Sequence, residues 1–346
     1  MSGECSEKAI SILIPQKNHR TRLLSKLTSN KLIKKYQKDG LLGLRLAIKA
    51  KRFLLQSDPN RFSLFLSNGA DYSMRRSSAV TRNRQHRISE TLAMMKRAGI
   101  ETYTDNKIDL FAKNRSQTGK NTVSIYFSPK EVKSQSDLTR KIINSKLTGV
   151  WINEDTAWLC YHTAEELFWW YENVEKRADI LIQSMLKTVG IEIPSSDALL
   201  FGNTIAQAKM CLEDAKIRSD LLNSAFRRFC FIQMDENGIM LLQILNDKEL
   251  YEYLFSVLTE DLQKKNQNYI LNDGYNEEGL PVLICIDCDL KRLITFKTQL
   301  GYAECRGEII CFDFQKEGIK EFCGDNITLT LVDSDIIREE FYTNAE

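Results

Sequence analysis

The sequence predicts a mixed α/β (α+β) chain with a partial winged helix-turn-helix over residues 1–70, a basic helical linker over 71–118 and an acidic mixed-sheet α/β domain over 119–346. Three observations predict it. Charge is split along the chain, with 21 Lys+Arg against 6 Asp+Glu in residues 1–100 and 27 against 40 in residues 101–346. The front end shows a helical period, two short strands and a second helical period. From about residue 119, apolar strand-like runs alternate with amphipathic helical ones, the pattern of a parallel or mixed sheet with covering helices.

With 346 residues, 43% of them hydrophobic, and five prolines, the chain is expected to be ordered and to form two domains. No apolar run approaches the roughly 20 residues of a membrane helix. The apolar stretch Ile10–Ile14 is too short for a signal peptide. Nine cysteines, an odd number, read as reduced thiols of a cytoplasmic protein.

In HRTRLLSKLTSN, which begins at His19, Leu23, Leu24 and Leu27 fall on one helical face. Arg22, Ser25, Lys26 and Ser29 fall on the other. A strand from Leu32 to Tyr36 follows, then a turn over Lys38, Asp39 and Gly40. Asp-Gly favours a tight hairpin because both central positions need positive φ. A second strand (Leu42–Leu46) leads into the helical run IKAKRFLL. Helix, hairpin and helix form the back half of a winged helix, whose first helix enters the major groove while the hairpin touches phosphates. On that reading Arg22, Lys26 and Lys31 face the groove, and Lys34, Lys35, Lys38 and Arg45 sit on the wing. Fewer than twenty residues precede this helix, so the motif reads as shortened. The alternatives are a module that docks only protein, or a basic surface that is merely solvated.

Arg75, Arg76, Arg82, Arg84 and Arg87 lie within thirteen residues, and Ile88, Leu92 and Met95 repeat at helical spacing up to Gly99. Guanidinium forks suit phosphate oxygens, so these arginines are expected to clamp the DNA backbone. Lys96 and Arg97 have a structural reason as well, at the negative pole of a helix.

In the acidic part, VSIYF (Val123–Phe127) reads as a strand, and TGVWI and TAWLCY as a hairpin. Thr163 and Glu166 form a capping box for a long helix with Leu167, Trp170, Tyr171, Val174, Ala178, Leu181 and Met185 on its inner face. Its aromatic first turn, Phe168 to Tyr171, reads as core. Ala198–Phe201 and RRFCFIQM are strand-like, and an amphipathic helix covers Lys248–Leu262. PVLICID, GEIICFDF and NITLTLVD read as buried strands separated by helical segments.

Signatures of catalysis are sparse. Gly119-Lys120 lacks the rest of a phosphate loop, and no G-x-S-x-G elbow occurs. His19, His86 and His162 lie far apart with no metal-ligand spacing, so neither metal nor cofactor is expected. Cys285 and Cys288 match C-x-x-C but read as buried strand thiols. One enzyme alternative stands: Asp273, then Asp289 and Lys291 after an apolar strand, follow the acid, acid-x-lysine order of metal-dependent nucleases. Acid-x-lysine also begins at Asp105, Glu131 and Asp214, so the pattern is common in this chain.

The stretch from Arg45 to Leu55 resembles the RLTxKGxxLL run of winged-helix domains, with Ala47 and Ala50 where Thr and Gly are usual. With the arginine-rich helix, IYFSPKEVK, SKLTGVWINEDTAWLCYHT, LLFGNTIAQA and GEIICFDFQKE, the chain is similar to uncharacterised proteins of conjugative elements in Gram-positive bacteria. It resembles the replication-relaxation group, which pairs a winged helix with a restriction-endonuclease-like domain. The resemblance implies a mobile genetic element and a role in plasmid or conjugative-element mobilisation, replication or its regulation, and carries over no catalytic residue. The expectation is a non-enzymatic protein that binds double-stranded DNA, with a relaxase or other mobilisation protein and a second copy as candidate partners. The competing class is an adaptor whose basic face binds an acidic protein.

Overall fold

Backbone pairing in the first fifty residues begins with a two-residue strand, Cys5–Ser6 (β1), followed by helices Glu7–Leu13 (α1) and Lys17–Ser29 (α2). The computed structural model describes residues 3–66, 78–107, 124–135, 145–153, 156–164, 172–188, 191, 193, 195–213, 226–264, 270–324 and 326–343. Strands Ile33–Lys38 (β2) and Leu41–Leu46 (β3) form the expected hairpin, paired from Ile33 with Leu46 to Lys38 with Leu41. Asp39 and Gly40 carry φ of 52° and 74°, the tight turn that Asp-Gly favours. β1 adds to the free edge of β3, giving the order β1-β3-β2. Helices Ile48–Ser57 (α3) and Pro59–Leu66 (α4) follow.

Helix Ala79–Arg97 (α5) corrects the expected domain plan. It packs on α1, β1 and β3, and Ala93, Met94 and Met95 along it are fully buried. An exposed linker could not bury such side chains. The helical cover of the small sheet is thus completed from downstream. The chain divides by its contacts into one unit of Met1–Ala164 with Tyr171–Ser196 and a second of Glu165–Trp170 with Asp197–Glu346. The boundaries expected at 70 and 118 are not the ones the packing draws.

The first unit also holds strand Ile125–Phe127 (β4), helix Pro129–Gln135 (α6), strands Gly149–Asn153 (β5) and Thr156–Ala164 (β6), and helix Glu172–Thr188 (α7). β4, β5 and β6 pair antiparallel, and the facing residues Trp151 and Trp158 stack at 5.4 Å. Val123, the turn residues Glu154 and Asp155, Glu166 of the capping box and the aromatics 168–171 lie outside the described residues. On α7 the buried stripe is Glu175, Ala178, Asp179, Ile182 and Leu186, one residue off the expected face except at Ala178. The shift turns the Glu175 carboxylate inward, where Ser145 Oγ (2.7 Å) and the Lys146 amide (2.9 Å) donate to it.

In the second unit, strands Ser196–Gly202 (β7) and Phe229–Gln233 (β8) pair in parallel, with helix Ile205–Glu213 (α8) between them in sequence. Helices Glu236–Asn246 (α9) and Lys248–Thr259 (α10) come next. Strands Gly274–Tyr275 (β9), Pro281–Ile284 (β10), Gly307–Phe312 (β11) and Ile327–Val332 (β12) make a mixed sheet of order β12-β11-β10-β9. β10, β11 and β12 run parallel, joined by helices Leu290–Ala303 (α11) and Lys316–Cys323 (α12), with Ser334–Thr343 (α13) closing the chain. Met240, Ile244, Val282, Ile284, Ile310 and Phe312 are the centre of its core. The chain is therefore mixed α/β, as its alternating pattern predicts. Among the described residues no helix is long and apolar enough to cross a membrane.

Candidate nucleic-acid interface

Helix α2 is amphipathic as read: Leu23, Leu24 and Leu27 turn inward while Arg22, Ser25, Lys26 and Ser29 are exposed. It ends in a Schellman turn, with the Lys31 amide donating to Thr28 O (2.9 Å) and the Leu32 amide to Leu27 O (2.9 Å). Lys31 takes the left-handed position of this turn at φ 57°, where glycine is the usual residue. Its side chain projects into solvent beside the helix end.

On the hairpin, Lys34, Lys35 and Lys38 are exposed. Lys35 Nζ lies 4.0 Å from Glu7, and Lys38 Nζ lies 3.9 Å from Asp39. Both pairs are solvent-exposed and worth little. Arg22, Lys26, Lys31 and Lys34 form no ion pair with a described residue. Arg22, Lys26, Lys31, Lys34, Lys35 and Lys38 are thus all presented to water by the helix, the turn after it and the hairpin.

Arg45 departs from the wing assignment. Its guanidinium is bonded to Glu4 Oε2 through Nε (2.7 Å) and Nη2 (2.7 Å) and lies 3.7 Å over the Tyr36 ring. Glu4, only 1% exposed, is the centre of this arrangement. Arg82 Nη2 donates to its Oε1 at 2.7 Å, and His86 Nε2 lies 2.7 Å from the same oxygen. Burial raises the Glu4 carboxyl pKa, but the hydrogen bonds from Arg82, Arg45 and His86 outweigh that, and the group titrates below the usual carboxylate range. Gly43 sits directly under this carboxylate, and a Cβ there would collide with it.

The arginine clamp is corrected in the same way. Arg82 is completely buried; besides Glu4 it donates to Lys38 O (2.6 Å), Tyr36 O (3.1 Å) and Leu41 O (3.1 Å), pinning the hairpin to α5. Arg84 donates to Ser145 O (2.7 Å) and Leu147 O (3.2 Å), and burial lowers its pKa. Arg87 is half-buried beside His162, which burial keeps below its ordinary pKa and which faces Glu90 Oε2 at 3.1 Å. A guanidinium spent on an internal carboxylate or carbonyls cannot also hold phosphate. Arg75 and Arg76 lie outside the described residues.

The nuclease candidates each have internal partners. Asp273 binds Arg292 Nη2 (2.6 and 2.7 Å), and Lys291 Nζ donates to Phe226 O at 2.8 Å. Asp289 Oδ1 accepts from the amides of Phe229 (3.1 Å), Lys291 (3.0 Å) and Arg292 (3.4 Å), capping α11, while its buried Oδ2 has no hydrogen-bond partner among the described residues. Burial and the neighbouring Asp287 carboxylate push Asp289 up to about 6. Among the described residues no group of three or more His, Cys, Asp or Glu is placed to hold a metal. Cys285 and Cys288 are buried, and burial raises both thiols well above their ordinary values. The eight described cysteines are free thiols.

Sequence reasoning missed Glu4, Gly43 and β1. A two-residue strand has no periodicity, and nothing local marks Glu4 as the partner of arginines 41 and 78 residues away. Compared with known proteins, the chain matches no family model, no curated protein and no solved structure.

Proposed function

We propose that this is a non-enzymatic, double-stranded-DNA-binding protein of a mobile genetic element, acting in mobilisation during conjugation or in replication and its regulation. One observation carries the DNA reading: Arg22, Lys26, Lys31, Lys34, Lys35 and Lys38 are all exposed on one helix and its adjoining hairpin. Between residues 17 and 52 the only acid is Asp39. Such a surface gains affinity for polyanions by releasing condensed counterions. The helix supplies a rod of groove-filling width and the hairpin reaches the flanking phosphates, as in a winged helix. The mobile-element setting rests on the resemblance in sequence. The acidic unit would dock a second copy or a mobilisation protein such as a relaxase.

The +15 and −13 charges of residues 1–100 and 101–346 favour a second reading, in which the basic face meets an acidic protein. Fluorescence-anisotropy binding of the full chain to a random duplex across a salt series, with Mg²⁺ present and a gel endpoint, separates them. The DNA reading expects steep salt dependence. It expects the triple variant Arg22→Ala, Lys26→Ala, Lys34→Ala to flatten the log–log slope by about 3 × 0.9. No binding at low salt would move the basic face to the adaptor. Cleavage lost in Asp289→Ala would establish the nuclease instead.

A further inference from the structure

The two edges of the sheet β12-β11-β10-β9 are finished differently. β9 is two residues long, and Gln263 closes it: the Gln263 amide donates to Tyr275 O (2.8 Å) and the Tyr275 amide to Gln263 O (2.9 Å). β12 runs six residues, Ile-Thr-Leu-Thr-Leu-Val, and no described strand pairs with its outer side. The Gly307 amide donates to Asn326 O (3.3 Å), so the even-numbered residues here turn their backbone groups toward β11. Those of Ile327, Leu329 and Leu331 therefore point outward, a row of donors and acceptors. Open edges are normally blunted by lysine, proline, a bulge or brevity. From Ile327 to Val332 this one has no charge, no proline and no glycine. Thr328 and Thr330 are exposed, Leu331 is 41% exposed, and Ile336 just beyond the strand is 59% exposed.

We propose that β12 is a self-association edge, on which a second copy of this chain pairs antiparallel about a two-fold axis through Leu329. The strand is its own complement. In an antiparallel pair, opposite residues share a face, and outward-pointing backbone groups meet each other. Centred on Leu329, Ile327 meets Leu331 of the partner subunit, Leu329 meets its own copy, and Thr328 meets Thr330 of the partner subunit. All three outward residues then exchange both backbone bonds, with an apolar ladder on one face and a threonine ladder on the other. Centring on Thr330 instead would set Ile327 against Asp333 of the partner subunit. A different protein would have to match this alternation on a charge-free edge, whereas a second copy does so by symmetry. The pairing gives a surface to the second copy proposed for the acidic unit; it rests on that part of the reading and is independent of DNA binding. Residues 197–346 hold 15 Lys+Arg against 27 Asp+Glu, so the copies repel. The dimer should therefore tighten as salt rises, opposite to duplex binding.

Sedimentation velocity of the full chain over a concentration series, at low and high salt, tests the proposal. A reversible dimer is expected. Leu329→Lys and Leu329→Glu each set like charges directly across the axis and should raise the dimer dissociation constant at least about tenfold. An equimolar mixture of the two variants should dimerise again, because opposite charges then meet. Should either fail to fold by circular dichroism, Leu331→Lys, at an exposed position facing Ile327 of the partner subunit, should weaken the dimer to a similar degree. A wild-type monomer throughout, folded variants that dimerise as wild type does, or Leu329 variants that stay monomeric when mixed would each overturn it. Duplex anisotropy on the same samples reports on the DNA reading alone: a monomeric variant that still binds with steep salt dependence leaves that reading in place.

Discussion

Helix α2 and helix α5 carry similar densities of cations and put them to opposite uses. On α2, Arg22 and Lys26 stand in solvent with no described acid to pair them. On α5, Arg82 is completely buried and Arg84 is spent on two carbonyls. The difference lies in what the rest of the chain supplies. Glu4 and the ends of the hairpin offer acceptors to α5, whereas nothing described is folded over the outer face of α2. A basic helix is a surface for partners only where the fold has not already supplied its counter-charge.

The sharpest way to break this contrast is Arg82→Ala. It leaves the buried Glu4 carboxylate short of a partner and frees three hairpin carbonyls, at an expected cost of about 3–5 kcal/mol. Arg22→Ala should stay within about 0.5 kcal/mol. Urea unfolding followed by circular dichroism measures both, and equal midpoints would remove the internal role given to Arg82.

Buried carboxylates extend the comparison. Glu4 has cations and titrates low; its contribution is present above the ordinary carboxylate pKa and is lost as pH falls through its depressed value. Asp289 faces Asp287 and titrates high, at about 6, so its sign is reversed. Its favourable protonated state is complete below about pH 4 and is lost as pH rises through 6. Asp289→Asn keeps a capping oxygen and removes the charge. It should stabilise the second unit by up to about 3 kcal/mol at pH 7.5 and by almost nothing at pH 4. Thermal melts at the two pH values decide it, and a loss at pH 7.5 would show that the ionised cap matters more than its burial.

The smallest effect separates stability from binding. Lys31 occupies a left-handed position that costs a non-glycine residue about 1 kcal/mol. Lys31→Gly should therefore raise the melting temperature slightly while weakening duplex binding. A variant that gains stability and binds DNA as before would take Lys31 off the interface.

The legible parts of the fold were the local ones. The leucine spacing of α2, the Asp39-Gly40 turn and the strands after Pro281, Gly307 and Ile327 are written within a few residues of where they act. The parts that were not legible depend on distant partners. The sidedness of α5 follows from Glu4, and the one-residue rotation of α7 follows from Ser145, Lys146 and Tyr161 drawing Glu175 inward. Helical periodicity reports which residues share a face, and it does not report which face a distant acid will claim. For the candidate interface, six of the named cations are exposed, while Arg45, Arg82 and Arg84 proved internal.

The Glu4–Arg82 bond also sets a timetable for synthesis. Glu4 leaves the ribosome 78 residues ahead of Arg82, a lag of roughly 4–16 s at translation rates of about 5–20 residues per second. The hairpin around Asp39-Gly40 can close within microseconds of emerging. It must then wait, docked to nothing on the α5 side, with its basic strand already able to meet a polyanion. Until Arg82 emerges, the basic hairpin of a nascent chain stands without its internal brace, and slowing translation between codons 46 and 97 should lengthen that interval.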